Sequence, residues 1–161
     1  MLRPNRKHIR IFSFVIVCFF PFCAFGQFVL PVSIGETKGH AMKKLEHYNR
    51  VTISASMRKQ DSTGGERIDS AYDGVRFQGI QGRLFITFSR EIRPLIIGLH
   101  WESAVKYKRA LNILHLLKKH YGGTIDTSAS PTWWSQSPRV LREAIIYQHD
   151  LAYRESILDY F

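Results

Sequence analysis

Hydrophobic and polar positions along this chain change period several times, and each change marks an expected element. In "IGETKGHAMKKLEHYNR", Ala41, Met42, Leu45 and Tyr48 recur at the three-and-four spacing of one helical stripe. Thr37 is placed to cap that helix and Asn49 to end it. "RVTISASM" alternates instead: Val51, Ile53 and Ala55 face one way, and Thr52, Ser54 and Ser56 the other, as in a half-buried strand. "RKQDSTGGER" then reads as a turn, because Gly64 and Gly65 reach positive φ at little cost. Val75 and Phe77 alternate up to a hairpin tip at "GIQG", and Leu84, Ile86 and Phe88 alternate away from it. "RPLIIGLHWES" adds a strand, with Pro94 confined to its start or to an edge.

The pattern returns to a helical period in "SAVKYKRALNILHLLKKHYGG". Val105, Ala110, Leu111, Leu114, Leu117 and Tyr121 form a wide apolar face, and Gly122 supplies a stop. "TIDTSASPTWWSQSPR" reads as a loop from its Ser, Thr and Pro content. "VLREAIIYQHDLAYRESILDYF" reads as two strands joined near His149 and Asp150. A closing helix from Leu151 is the alternative for its second half, since Tyr153, Ile157 and Leu158 also suit a helical stripe. The sum is an α+β chain: an antiparallel sheet of about five to six strands with two helices packed on one face. Such a sheet, together with the long amphipathic helix, argues against a transmembrane barrel despite the aromatic C-terminus.

The first thirty residues follow another rule. "MLRPNRKHIR" carries Arg3, Arg6, Lys7 and Arg10 and no acidic residue, and a run of fifteen residues, 11–25, is apolar apart from Ser13 and Pro21. A spanning helix needs about twenty apolar residues, so a basic start, a short apolar middle and a small-residue exit at Ala24 and Gly26 read as a signal peptide. Residues 1–26 are therefore expected to be removed, with cleavage near Gly26-Gln27 and a single domain over 27–161. An uncleaved N-terminal membrane anchor is the alternative, and Phe22 ahead of Cys23 disfavours lipid attachment there. Cleavage leaves a mature chain without cysteine, because Cys18 and Cys23 are the only two. That excludes disulfides, thiol nucleophiles and cysteine metal sites together. It also removes four of 23 basic residues and none of 13 acidic ones, so the net charge falls from +10 to +6. A basic, exported domain favours anionic surfaces or acidic proteins.

In its order of elements from Thr37 to Tyr121, the chain resembles small bacterial envelope proteins built from a helix and an antiparallel meander. Examples are the β-lactamase-inhibitor-like domains and the small lipoprotein of the outer-membrane assembly machine. It also resembles exported small α+β bacterial proteins of uncharacterised function. The resemblance implies the helix-plus-meander fold, and it carries over no catalytic or binding residue.

Candidate chemistry is sparse. Trp133 and Trp134, bracketed by Pro131 and Pro138, suit either a pair of binding indoles or a lid over the open end of the sheet. Lys118 and Lys119, with His120, lie in a last helical turn, where the helix dipole favours cations whether or not a partner exists. No metal site is expected: His40 and His47 stand two turns apart, and His115 and His120 point away from each other. No cofactor motif and no nucleic-acid reader is present. Glu66, Asp69 and Asp73 are the only carboxylate group that invites hydrolase chemistry, and no GxSxG elbow accompanies them. The expectation is a non-enzymatic periplasmic or extracellular binding module. Trp133, Trp134, Lys118 and Lys119 would form its surface, and a protein or an anionic envelope component would be its partner. Membrane contact is expected only through the leader. A small hydrolase of cell-wall or glycan material is the alternative.

Overall fold

The computed structural model describes residues 30–54, 68–128, 130–137 and 139–157. The leader with its cleavage point, the two cysteines, the turn at 58–67 and Glu66 lie outside the described residues. The elements follow in the order α1 (Lys38–Leu45), β1 (Asn49–Val51), β2 (Ser70–Phe77), β3 (Ile80–Phe88), β4 (Ile96–Ala104), α2 (Tyr107–Tyr121), β5 (Thr124–Asp126), β6 (Thr132–Gln136), β7 (Val140–Tyr147) and β8 (Asp150–Ile157). All strands join one antiparallel sheet of eight, ordered β1-β2-β3-β4-β8-β7-β6-β5.

The sheet is therefore larger than the expected five to six strands. Both additional strands come from the stretch 124–139 that reads as a loop: β5 and β6 are short and surrounded by Ser, Thr and Pro, so turn-forming composition hides them. The hairpin tip also sits earlier than "GIQG". Gln78 (φ 51°) and Gly79 (φ 71°) make a two-residue turn with both φ positive, which matches the right-handed twist of the flanking strands. The closing segment is a strand, with Leu151 paired to Ser103 on one side and Ile146 on the other.

Helix followed by four strands occurs twice, as α1 with β1–β4 and as α2 with β5–β8. The last strands of the two sets, β4 and β8, meet antiparallel at the middle of the sheet, where Trp101 opposes Tyr153 at the centre of the register. In topology the halves are thus related by a half-turn about an axis normal to the sheet.

Both helices bury their stripes in one core cluster. Ala41 and Leu45 of α1 join Ala110, Ile113, Leu114 and Leu117 of α2 over Tyr72, Phe77, Leu84, Ile86, Leu99, Trp101, Trp134 and Tyr153. Tyr72 donates its hydroxyl hydrogen to Met42 Sδ (3.0 Å), which pins α1 over β2. Trp134 Nε1–H donates to the carbonyl of Gly122 (2.9 Å), and Tyr107 Oη lies 3.2 Å from Thr132 Oγ1, which places α2 over β6. Gly122 takes φ 79° and its N–H bonds back to Lys118 O, so the helix stops where expected. Thr37 occupies the N-cap position of α1 but makes no capping hydrogen bond. The neighbouring Glu36 holds the helix instead: its carboxylate accepts from Ser33 N–H and pairs with Lys44 (2.9 Å) and His40 (3.1 Å).

No helix among the described residues covers the other face of the sheet. A smaller cluster lies there, in which Ile68, Ala71 and Phe85 are packed by Val51 and Ile53. No helix of the described residues is long and apolar enough to cross a membrane.

Candidate functional site

The adjacent tryptophans are separated by the geometry of a strand. Successive side chains of β6 point to opposite faces, so Trp134 enters the core at 0% exposure while Trp133 stays 37% exposed on the face away from the described helices. Lys118 and Lys119 sit in the last turn of α2, on the outside of the helical layer. Trp133 and the two lysines are thus on opposite sides of the molecule, and no single partner surface contains all three.

The register turns the face that carries Trp133 into a grid of cross-strand rows. One row crosses β6, β7, β8, β4, β3 and β2 as Trp133, Ile145, Ala152, Glu102, Arg83 and Asp73. The next runs Ser135, Glu143, Arg154, His100, Phe85 and Ala71. Directly opposed residues on one face stand about 5 Å apart, and diagonal neighbours about 7–8 Å. Trp133 therefore stands directly opposite Ile145, and Tyr147, two residues further along β7, is its diagonal neighbour. These three are among the few large apolar side chains left exposed, with Tyr147 at 59%. Solvent-facing apolar groups on neighbouring strands, bordered by charge, are the usual mark of an interaction surface.

Charge occupies the middle of this face. Arg83 binds Asp73 through Nε (2.6 Å) and Nη2 (3.3 Å), and the Asp73 hydrogen bond raises the guanidinium further above its ordinary value. His100 Nε2 lies 3.5 Å from Glu102 Oε2, its ring meets Phe85 edge-on, and its Nδ1 is buried without a hydrogen-bond partner. Gly98, opposite Thr87, leaves a dimple here lined by Ile68, Phe85, Thr87, His100 and Arg154. Its volume of about 10 Å³ suits one water molecule and no organic ligand.

The carboxylates that invited hydrolase chemistry are engaged with backbone and arginine. Asp69 Oδ2 accepts the Phe88 N–H (2.8 Å), and Asp73 holds Arg83. Four residues of strand separate them, about 13 Å, where paired glycosidase carboxyls stand about 5–9.5 Å apart. Among the described residues no three of His, Cys, Asp and Glu gather in a metal-binding group.

A polar network lies on the opposite, helical side. Tyr153 donates to Glu155 Oε1 (2.6 Å), Arg142 Nε donates to the same oxygen (3.1 Å), and Arg142 Nη1 donates to Gln136 Oε1 (3.2 Å). The guanidinium also stacks over the Tyr121 ring at 4.8 Å, so each member is satisfied by another. Nothing in the sequence singled out Glu155 as inward-facing, because an inward carboxylate breaks the apolar alternation of its strand. Burial, reinforced by Glu155, raises the Tyr153 hydroxyl far above the ordinary tyrosine range, and burial also raises Tyr121. An unfolded tyrosine ionises near pH 10. Below that pH the two states hold the same protons; above it the unfolded chain releases one that the folded chain keeps. The stabilisation is therefore complete below about pH 10 and declines as pH rises further. Urea midpoints measured from neutral to strongly alkaline pH are expected to fall above about pH 10. Tyr153→Phe should flatten that decline.

Fold and surface together define an α+β protein whose eight-stranded sheet is packed by helices on one side, while the other side, partly apolar and partly charged, carries no helix among the described residues. In comparisons with known proteins, no family, no curated protein and no solved structure matches this chain.

Proposed function

We propose that this chain is an exported envelope or periplasmic protein that works by binding, and that it docks a partner protein on the Trp133 side of the sheet, around Trp133 itself. The observation that carries this reading is the group Trp133, Ile145 and Tyr147, exposed side by side on the face that no described helix covers. Large aromatics surrounded by charge supply most of the energy of protein interfaces. Export is supported by the basic start and the short apolar run at 11–25. The polar centre of the face, with its Arg83–Asp73 pair, supplies orientation more than affinity.

Capture from envelope extract tests the reading. Trp133→Ala combined with Tyr147→Ala is expected to weaken retention of the bound partner by about tenfold or more. Both side chains lie on the surface, so the variant keeps its fold. An unchanged set of retained proteins overturns the assignment of this face.

A further inference from the structure

Beyond this face, the end of the sheet that carries the β3–β4 loop has a separate set of features. The loop is "SREIRP", and Ile92 at its tip is fully exposed at 103%, with exposed Arg90 and Arg93 on either side. The strand register brings more basic residues to the same end. Thr37 bridges Leu95, and Lys38 N–H donates to Pro94 O, so the start of α1 lies beside the loop. Ser156 pairs with Gly98 and Val140 with Ile157, so Arg139 lies at that end too. The C-terminus of α2, with Lys118 and Lys119, points the same way, because Gly122 bonds Trp134 and Tyr121 lies under Arg142. Among the described residues there, Glu91 is the one exposed carboxylate.

The segment that leads into α1 is tied to this end as well. Gly35 N–H donates to Ile96 O, and Ile96 N–H donates to Glu36 O. Only residues 26–29 separate Leu30 from the apolar run ending at Phe25. Five extended steps reach about 17 Å. A leader held in a bilayer, during export or as an anchor, would keep Leu30 and the segment before α1 close to the lipid.

We propose that the β3–β4 end docks on an anionic phospholipid bilayer, with Ile92 entering the headgroup boundary and Arg90 and Arg93 binding lipid phosphates. Ile92 projects alone from the loop tip, with Glu91 beside it and the exposed guanidinium groups of Arg90 and Arg93 on either side, a small apolar area for a protein interface. It needs no more to enter a lipid interface, where buried apolar area and attraction to anionic headgroups add. The sheet would then stand with its strands along the membrane normal, leaving the face with Trp133 at the side. This docking does not depend on that face having a partner.

The test uses the full chain with Cys18→Ser and Cys23→Ser, and a nitroxide attached at Ile92→Cys. A second protein carries the label at His149→Cys, in the β7–β8 turn at the opposite end of the sheet. Vesicles of phosphatidylcholine containing a minority of phosphatidylglycerol are compared with phosphatidylcholine alone. In anionic vesicles the label at 92 is expected to lose access to a water-soluble nickel relaxant and gain access to oxygen, while the label at 149 stays in water. Arg90→Glu with Arg93→Glu should reverse the shift, each substitution weakening attachment by about fivefold or more. A label at 92 that remains as wet as the one at 149 overturns the proposal and points to an acidic protein as the ligand of these cations. Equal burial in phosphatidylcholine alone, or burial of both labels together, overturns it as well.

Discussion

Trp134→Ala is expected to lower the stability of the fold by about 3–5 kcal/mol, whereas Trp133→Ala changes it by about 1 kcal/mol or less. The two indoles are adjacent in sequence and chemically identical, so the difference comes entirely from the faces they occupy. Trp134 is wholly buried beneath α2, inclined to Tyr121 with ring centroids 6.3 Å apart, and its indole N–H satisfies the carbonyl of Gly122 at the helix end. Removing it leaves a cavity between sheet and helix and strips a partner from a carbonyl at the helix terminus. Trp133 makes its contacts on the surface, across from Ile145. Thermal unfolding followed by circular dichroism separates the two, and similar losses from both would refute the assignment of faces. The comparison also bears on function: only a binding defect in Trp133→Ala can be read as a binding defect, since Trp134→Ala disturbs the core.

This separation shows where the sequence could be read and where it could not. The α2 stripe was legible because Ala110, Leu114 and Leu117 repeat on a helix whose other positions are mostly polar. In β3, inward Leu84, Ile86 and Phe88 were likewise legible by their spacing. β7 hides its parity, since inward Ala144 and Ile146 alternate with outward Ile145 and Tyr147 and all four are apolar. The exposed group around Trp133 was invisible for that reason. β8 has the converse difficulty: inward Glu155 replaces an apolar residue, and Arg142 with Tyr153 supplies the compensation from positions that only the fold brings together. β5 and β6 are three and five residues long, too short for a period to emerge from the turn-forming residues around them. The Trp-Trp pair would have been divided between faces at once had β6 been recognised as a strand, because parity alone decides it.

The largest single loss is expected from Trp101→Ala, about 4 kcal/mol or more, and its origin can be located by a second substitution at Gly82. Trp101 stands on β4, yet its indole N–H donates to Val75 O on β2 (3.0 Å), so the ring lies across the intervening strand β3. It crosses at Gly82, which pairs with Val75 and has no side chain to obstruct it. A Cβ at Gly82 would collide with the Trp101 ring and with the carbonyl oxygen of Glu102. A strand glycine that admits a close approach in this way has a structural reason to be there. Gly82→Ala alone should therefore cost about 1–3 kcal/mol through overpacking. Once Trp101→Ala has removed the ring, the added methyl still meets the Glu102 carbonyl, and its cost should shrink without vanishing. Urea denaturation of the four proteins in this cycle is expected to show a coupling of about 1 kcal/mol or more. Strict additivity would mean that the ring does not lie over Gly82. The central strands would then be held by their ladders alone, without the indole that ties β4 across β3 to β2.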